Sequence, residues 1–189
     1  MPDEVEIKFV VDDVAELTHK LRNLGFRLET PRTHESNTLY DTEKNELRKS
    51  GQLLRLRQYG PAWTLTHKAR SQSGIHKTRA ETEIQVDNGE NMHAILLALG
   101  FRPSFRYEKF RAQWSDGKGH VVIDETPIGN LAEIEGPPDW IDRIAERLGI
   151  SRKQYITQNY ADLFREWKRR TQNPAQEMTF AECGTSVPE

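Results

Sequence analysis

The amino-acid sequence predicts an α+β fold: a closed antiparallel β-barrel of about eight strands with a charged interior and an outer wall covered by amphipathic helices. Two observations predict it. Charged and apolar residues alternate along most candidate strands, so that each strand has one charged face and one apolar face. The helices between the strands carry apolar stripes, which need an apolar sheet face to cover. The charged strand faces are therefore left to meet inside the barrel.

The first strand, residues 4–11, shows the alternation in its simplest form. The charged residues Glu4, Glu6 and Lys8 fall on one face, and the apolar residues between them fall on the other. Taken alone, this pattern is also typical of a half-buried strand with a solvated outer face. It becomes informative because later strands repeat it.

The remaining elements follow from helical spacing, capping residues and glycine stops. An aspartate at 12 or 13 begins the first helix, and Gly25 ends it. Beyond it the sequence predicts strands over 32–41, 53–59, 63–68, 76–86, 107–114, 120–125 and 131–135, and helices over 43–50, 92–99, 137–148 and 158–170.

Two parts of the chain repeat one pattern. A strand with glutamates two residues apart is followed by an amphipathic helix and then by the tetrapeptide Leu-Gly-Phe-Arg, first over 4–27 and again over 81–102. An ordered repeat of this length predicts two related halves.

Composition places the chain among charge-rich globular proteins. It has 189 residues, of which 30% are charged, and its formal net charge is −2. This balance gives no general attraction to nucleic acid or anionic lipid, so neither is expected as a partner. No apolar run approaches the ~20 residues of a membrane span, and no signal segment is recognisable, which predicts a cytoplasmic protein.

One domain is predicted over 1–170. Residues 171–189 are polar without any period, so we expect a disordered tail. The single cysteine, Cys183, lies in this tail, and no intramolecular disulfide is possible.

Like charges recur two residues apart on the charged faces. Ordinary solvated strands with cross-strand ion pairs explain any one of these faces but fit the set poorly. Like charges this close repel unless a group of opposite sign lies between them. Rows of arginine and lysine suit a polyphosphate, and paired carboxylates suit a hard divalent cation. The residues concerned are Glu4, Glu6, Lys8, Arg55, Arg57, Lys68, Lys77, Arg79, Glu81, Glu83, Lys109, Arg111, Asp124, Glu133 and Glu135.

The ordered series of motifs resembles the CYTH family, the triphosphate tunnel metalloenzymes. The resemblance covers about residues 1–168 and rests on Glu4-x-Glu6-x-Lys8, Leu54-Arg55-Leu56-Arg57, Thr66-His67-Lys68, Arg79-x-Glu81-x-Glu83, Lys109-x-Arg111, Asp124 and Glu133-Ile134-Glu135. It implies a triphosphate, such as ATP, thiamine triphosphate or inorganic tripolyphosphate, held inside the barrel. It also implies a homodimer.

The resemblance assigns roles to the charged residues. Phosphates would be bound by Lys8, Arg55, Arg57, Lys68, Arg79, Lys109 and Arg111. One or two Mg²⁺ or Mn²⁺ ions would be held by Glu4, Glu6, Glu133 and Glu135, together with Asp124 and Glu83. Lys8 and Tyr40 are the candidate catalytic residues: Tyr40 would enter the tunnel and pair with Lys8 in proton transfer, unless it is an ordinary strand aromatic.

Three functions remain open from the sequence. A metal-dependent hydrolase of an organic or inorganic triphosphate is the leading one. The second is a class IV adenylyl cyclase, which makes cyclic AMP and pyrophosphate from ATP and needs the same phosphate-binding residues. A module that binds triphosphate or polyphosphate without turnover is the third.

Overall fold

The computed structural model describes residues 4–70, 75 and 77–187, without the side chains of Glu4, Lys77 and Thr78. The predictions for the side chains of Glu4 and Lys77 therefore lie outside the described part of the protein. Its strands are β1 Glu4–Val10, β2 Arg27–Thr42, β3 Leu53–Tyr59, β4 Ala62–Lys68, β5 Lys77–Arg79, β6 Glu81–Val86, β7 Phe101–Ser115, β8 His120–Thr126 and β9 Gly129–Glu135. Its α-helices are α1 Val14–Asn23, α2 Glu46–Lys49, α3 Gly89–Ala98, α4 Pro138–Leu148, α5 Tyr160–Thr171 and α6 Phe180–Cys183.

The strands form a mixed-length antiparallel sheet in the order β5-β1-β9-β8-β7-β2-β3-β4-β6. The predicted α+β class is confirmed. Of the helices in the described part of the chain, none is long and apolar enough to cross a membrane.

The two edges of the sheet come from one stretch of chain. β5 pairs with β1, β6 pairs with β4, and Ala80 alone separates β5 from β6. The predicted single strand over 76–86 is therefore interrupted, with the guanidinium of Arg79 bound to the backbone carbonyls of Ala69 and Gly51 at the interruption. In the described residues no backbone ladder joins β5 to β6, so the hydrogen-bonded sheet is open and a closed barrel is not confirmed.

Helices cover the apolar face of the sheet, as the alternation predicts. The largest core cluster lies where α1 and α4 meet β1, β8 and β9, and Ile7, Leu21, Ile134 and Ile141 are each 0% exposed there. Fully burying a side chain of this kind contributes about 1.5–3 kcal/mol. A second cluster packs α3 onto the strands around Leu56.

The predicted repeat is visible in the helix ends. The first helix is capped by Asp13, whose side chain accepts the Glu16 N–H, and α3 is capped in the same way by Asn88. Each helix is followed by a glycine in the left-handed region, Gly25 at φ 87° and Gly100 at φ 91°. Both glycines turn the chain back to a strand.

The prediction of a disordered tail is wrong for residues 171–187. Met178 is 0% exposed, and its N–H and C=O exchange hydrogen bonds of 3.0 Å with the β7 backbone. The short helix α6 buries Phe180 and Cys183. The segment has too few apolar residues to show a period, but Ala175, Met178 and Cys183 pack against a surface that includes Tyr107 of β7 and Phe164 of α5. Such a surface exists only in the folded protein.

Candidate active site

The charged strand faces border one cavity of about 370 Å³, called the charged cavity below. Among the side chains that line it are all seven predicted phosphate-binding cations, Lys8, Arg55, Arg57, Lys68, Arg79, Lys109 and Arg111, and five carboxylates, Glu6, Glu81, Glu83, Glu133 and Glu135. The structure thus brings together residues from both ends of the chain.

Strand register explains this convergence. Residues directly opposite one another in an antiparallel pair project from the same face of the sheet. Lys8 lies opposite Glu133, and Lys68 lies opposite Glu81. Charged residues on one strand therefore lie opposite charged residues on the next strand, and the charges of all these strands lie on one face of the sheet.

Lys8 sits between two carboxylates. Its Nζ donates to Glu6 Oε1 at 3.0 Å and lies 2.8 Å from Glu133 Oε1, and its side chain is 3% exposed. Burial alone would lower the pKa of Lys8, but the negative charges of Glu133 and Glu6 outweigh burial and raise the pKa above its ordinary value. Lys8 is therefore protonated at neutral pH and suited to stabilising negative charge.

Asp124 organises a second group of charges. It is 0% exposed and accepts from Lys109 Nζ at 2.9 Å and from Arg111 Nε and Nη2 at 2.7 and 2.6 Å. Arg111 Nη2 also donates to Glu133 at 2.6 Å. Burial opposes the charge on Arg111, but Asp124 and Glu133 hold its pKa well above the usual range. Both cations are held in place facing the charged cavity.

Glu35 belongs to the same group, and sequence reasoning missed it. It lies opposite Lys109 on β2, is 0% exposed, and places its two oxygens 3.5 Å from Lys109 Nζ and 3.8 Å from Arg111 Nε. Burial would raise the pKa of Glu35, but the charges of Lys109 and Arg111 lower it to about 2. Glu35 is thus a permanent counter-charge in the cavity wall.

Tyr160, the first residue of α5, completes this group. Its hydroxyl donates to Asp124 and, at 3.3 Å, to Glu133. Its ring centroid lies 4.5 Å from Lys109 Nζ and 5.5 Å from Lys8 Nζ. Burial, reinforced by the two carboxylates, raises the pKa of Tyr160 well above its ordinary value, so the group is a hydrogen-bond donor. Helical spacing in the sequence places Tyr160 in an apolar stripe and gives no sign of these contacts.

A third group of ion pairs forms the wall made by β3, β4 and β6. Glu83 lies 3.1 Å from Arg57 Nη2 and 3.6 Å from Arg55 Nη2, and Lys68 Nζ lies 2.7 Å from Glu81. These pairs hold the arginine and lysine side chains extended toward the charged cavity.

Four buried side-chain atoms lack a hydrogen-bond partner within the described part of the chain. They are Arg55 Nε, Glu35 Oε2, Asn37 Oδ1 and Trp114 Nε1, and of these four residues Arg55 alone lines the charged cavity. A buried donor without an acceptor is costly, so such groups usually mark a place where a ligand or water binds.

The prediction that Tyr40 enters the cavity and pairs with Lys8 is wrong. Tyr40 packs on the helix side of the sheet with Leu56 and Leu96, and its hydroxyl hydrogen-bonds His93 Nδ1 at 2.6 Å. The cavity face of β2 carries the odd-numbered residues, including Glu35 opposite Lys109. Residues 32–41 are polar on both faces, and for this reason the sequence does not reveal which face is inside.

The predicted metal ligands lie in different surroundings. Glu6 and Glu135 face each other across β1 and β9, and Glu133 follows on the same strand face. Asp124 is engaged by Lys109, Arg111 and Tyr160, and Glu83 by two arginines. Glu6 and Glu133 are also paired with cations, Glu6 with Lys8 and Glu133 with Lys8 and Arg111. Among the residues that the structure describes, no three acidic, histidine or cysteine side chains are arranged as a metal site.

The fold is an antiparallel α+β domain with a charged cavity on one face of its sheet, and the chain belongs to the CYTH family. The model of the family described as "CYTH domain" matches residues 2–160 of this chain. The chain is 27% identical over 171 residues to a putative adenylate cyclase of Methanocaldococcus jannaschii, with 85% of this chain and 97% of that protein covered.

Solved structures share the fold. A putative adenylate cyclase from Vibrio parahaemolyticus superposes with a TM-score of 0.76 at 18% identity, covering 87% of this chain and 98% of that one. A putative adenylyl cyclase from Hippeastrum with a dominant triphosphatase activity has a TM-score of 0.61 at 17% identity, covering 100% and 98%. At these identities the likeness concerns the fold.

Proposed function

We propose that this protein is a divalent-metal-dependent enzyme that binds a triphosphate in the charged cavity and hydrolyses it. The observation that carries the proposal is the convergence of seven arginine and lysine side chains on one cavity of about 370 Å³. The four arginines among these side chains support it, because phosphate oxygens are strong acceptors for guanidinium donors.

The cations approach the cavity from different strands. Lys8, Lys109 and Arg111 come from β1 and β7, and Arg55 and Arg57 come from β3. Together with Lys68 and Arg79 they would bind successive phosphates along the cavity. We also propose that β5 and β6 act as one bent strand that closes the tunnel, since only Ala80 separates them.

The balance of charge supports a metal ion. Six of the cavity cations, Lys8, Arg55, Arg57, Lys68, Lys109 and Arg111, each lie near a carboxylate. Of these, Lys8 and Arg111 both hold Glu133. A triphosphate that recruits these cations would leave buried carboxylates without partners, which costs about 3–5 kcal/mol for each broken pair. A divalent cation would compensate them. Glu6, Glu133 and Glu135 supply oxygen ligands of the type that Mg²⁺ and Mn²⁺ prefer, with Glu4 on the same strand.

Each part of the site then has a chemical task. A bound divalent ion would neutralise charge that develops on the transferred phosphoryl group and orient the attacking oxygen. Lys8, held protonated, would stabilise charge on a phosphate oxygen. Tyr160 and Asp124 would keep Lys109 and Arg111 in position, so that the phosphates are bound in a fixed geometry.

Cyclisation of ATP is the second candidate. The Methanocaldococcus jannaschii relative favours this reaction, because it is named a putative adenylate cyclase and this chain matches 97% of its length. The same cations would hold the three phosphates, and the attacking oxygen would be the ribose 3′-hydroxyl in place of water.

Product analysis tests these functions. Purified protein with Mg²⁺ or Mn²⁺ is incubated with tripolyphosphate, thiamine triphosphate or ATP, and the products are separated by ion-exchange chromatography. We expect phosphate release that a chelator abolishes and that Glu6→Gln lowers strongly. Arg143→Gln, which alters an exposed arginine on α4 away from the charged cavity, is the matched control.

Each alternative result has a clear meaning. Cyclic AMP and pyrophosphate as the main products from ATP would establish the cyclase. Tight metal-dependent binding without turnover would identify a binding module. Equal turnover by the wild type and Glu6→Gln would show that the reaction does not take place in the charged cavity.

A further inference from the structure

Residues 173–183, called the C-terminal segment below, lie beyond residue 160, where the match to the CYTH domain ends. They fold onto β7 and α5, next to the charged cavity. We propose that the C-terminal segment positions α5, and with it Tyr160, at the wall of the charged cavity. The proposal rests on the proposed function for its effect on turnover, and it adds Met178 to the residues on which the site depends.

The C-terminal segment binds β7 just beyond the end of the ladder with β8. That ladder covers residues 110–115 of β7. Met178 N–H donates to the backbone carbonyl of Arg106, and Glu108 N–H donates to the backbone carbonyl of Met178, each at 3.0 Å. The two bonds form a parallel bridge between Met178 and Tyr107. The segment therefore pairs backbone groups of β7 that lie outside the ladder with β8.

Met178 supports the aromatic side chains that connect β7 to α5. Its side chain is 0% exposed and belongs to one apolar cluster with Tyr107, Tyr160 and Phe164. Tyr107 lines the charged cavity, and its ring stacks on that of Tyr160 with the centroids 5.5 Å apart and an interplanar angle of 20°. Tyr160 in turn donates to Asp124. Apolar packing therefore joins Met178 to the group of charges around Asp124.

Phe180 holds the C-terminal segment on the other face of β7. Its N–H donates to Glu108 Oε1 at 2.6 Å, and its ring centroid lies 5.8 Å from that of Phe110. Glu108 and Phe110 alternate with Tyr107 along the strand, so they project from the face opposite to it. The segment thus contacts β7 on its edge and on both faces.

Bonds within the C-terminal segment fix its backbone around Met178. Glu182 Oε2 accepts the N–H groups of Gln176 and Glu177 at 2.8 and 3.0 Å. The side chain of Asn173 accepts a further backbone N–H, that of residue 175, at 2.9 Å. The segment is therefore folded on both sides of Met178 and presents this side chain to the cluster in one position.

Loss of the Met178 contact would reach the charged cavity through Tyr160. The Tyr160 hydroxyl contacts Asp124, the carboxylate that holds Lys109 and Arg111. Because Tyr160 is the first residue of α5, a shift of this helix moves the hydroxyl away from Asp124. A displacement of about 1 Å can lower turnover by about 100-fold when it alters the geometry of bound groups.

Two substitutions at Met178 in the full chain test its positioning role. Met178→Ala removes most of the side chain, whereas Met178→Leu keeps an apolar side chain of similar volume. Met92→Ala is the matched control, because Met92 is a partly buried methionine on α3 in a cluster without α5 residues. Amide hydrogen exchange of α5 and α4 is measured in each variant, together with kcat for the preferred triphosphate.

The expected effect is local to α5. Met178→Ala should raise exchange in α5 about tenfold more than exchange in α4 and lower kcat about tenfold, because α5 then opens more easily and Tyr160 is less well placed. Met178→Leu should restore both quantities to values near the wild type. Met92→Ala should leave kcat and the exchange of α5 unaltered.

Glu182→Ala keeps the inference testable if Met178→Ala does not fold. Glu182 is exposed, and its carboxylate accepts bonds from the C-terminal segment itself, so the change loosens the segment without opening the core. Glu16→Ala, at an exposed glutamate on α1, is its control. We expect Glu182→Ala, and not Glu16→Ala, to raise exchange in α5 and to lower kcat.

Hydrogen exchange does not depend on turnover, so this inference and the proposed function can fail separately. If the wild-type protein turns over no triphosphate, the proposed function fails, and exchange in α5 alone decides whether the C-terminal segment positions the helix. Equal exchange in α5 of Met178→Ala and Met92→Ala would overturn the inference. Raised exchange in α5 with unchanged kcat would also overturn it, because turnover would then not depend on the position of this helix.

Discussion

Lys8 and Glu133 lie directly opposite each other on β1 and β9, and their side chains form a buried ion pair of 2.8 Å. Glu6 makes a second contact to the same ammonium at 3.0 Å. The pair therefore joins a candidate phosphate-binding residue to two candidate metal ligands. Its energetics can be measured separately from its role in turnover.

Removing the charge of Lys8 should destabilise the protein. Lys8→Met leaves Glu6 and Glu133 buried without this ammonium, and we expect the free energy of unfolding to fall by about 3 kcal/mol. Lys8→Met combined with Glu133→Gln should lose less than the sum of the single changes, as measured by urea unfolding. Strict additivity of the two losses would show that the two side chains do not interact.

Arg57→Ala should weaken triphosphate binding and leave the fold intact. Arg57 is partly exposed in the charged cavity and is bound to Glu83 and Thr64, so it contributes little to the core. We expect an increase of about tenfold in KM for the preferred triphosphate, with an unchanged far-UV circular dichroism spectrum and melting temperature. Arg143→Ala is the control, and global unfolding of Arg57→Ala would contradict the inward charged face.

Tyr160→Phe tests the positioning role of the hydroxyl. The substitution removes the one O–H donor that Asp124 and Glu133 share, and we expect kcat to fall about tenfold or more while stability falls by about 1–3 kcal/mol. Tyr155→Phe removes a comparable hydroxyl contact, at 3.2 Å to Asp142, away from the charged cavity. A purely structural role would lower kcat equally in both variants, in proportion to their loss of stability.

Tyr40→Phe should retain full activity. The hydroxyl of Tyr40 contacts His93 and not Lys8, so the change should cost about 1 kcal/mol of stability and leave kcat and KM unaltered. Steady-state kinetics next to Tyr160→Phe gives the comparison. A large loss of kcat in Tyr40→Phe, with the fold intact, would show that Tyr40 takes part in catalysis after all.

Glu35 should make stability depend on acidic pH. Its pKa is lowered from 4.5 to about 2 in the folded protein, so its ionised form stabilises the fold above about pH 4.5, and this contribution is lost as the pH falls toward 2. The full contribution corresponds to about 3 kcal/mol. In Glu35→Gln the free energy of unfolding should change less between pH 6 and 3 than in the wild type, measured by urea unfolding. Identical slopes would show that Glu35 is not ionised in this way.

Alternation along single strands was enough to predict the charged faces, because side-chain direction in a strand depends only on position along the chain. Lys8, Arg55, Lys109 and Glu133 were placed on their faces in this way, and the ordered motifs led to the family. The helix ends at Gly25 and Gly100 were equally local features, set by backbone conformation at single residues.

Contacts between distant segments were decided only by the tertiary structure. Tyr160 reaches Asp124 because α5 begins beside β8 and β9, and Glu35 faces Lys109 because of the register between β2 and β7. Residues 171–187 fold because β7 and α5 offer a surface for Met178 and Phe180. The sequence by itself determined which strand faces are charged; tertiary structure decided which of those charges meet, since pairing across the sheet depends on register and packing that no single segment contains.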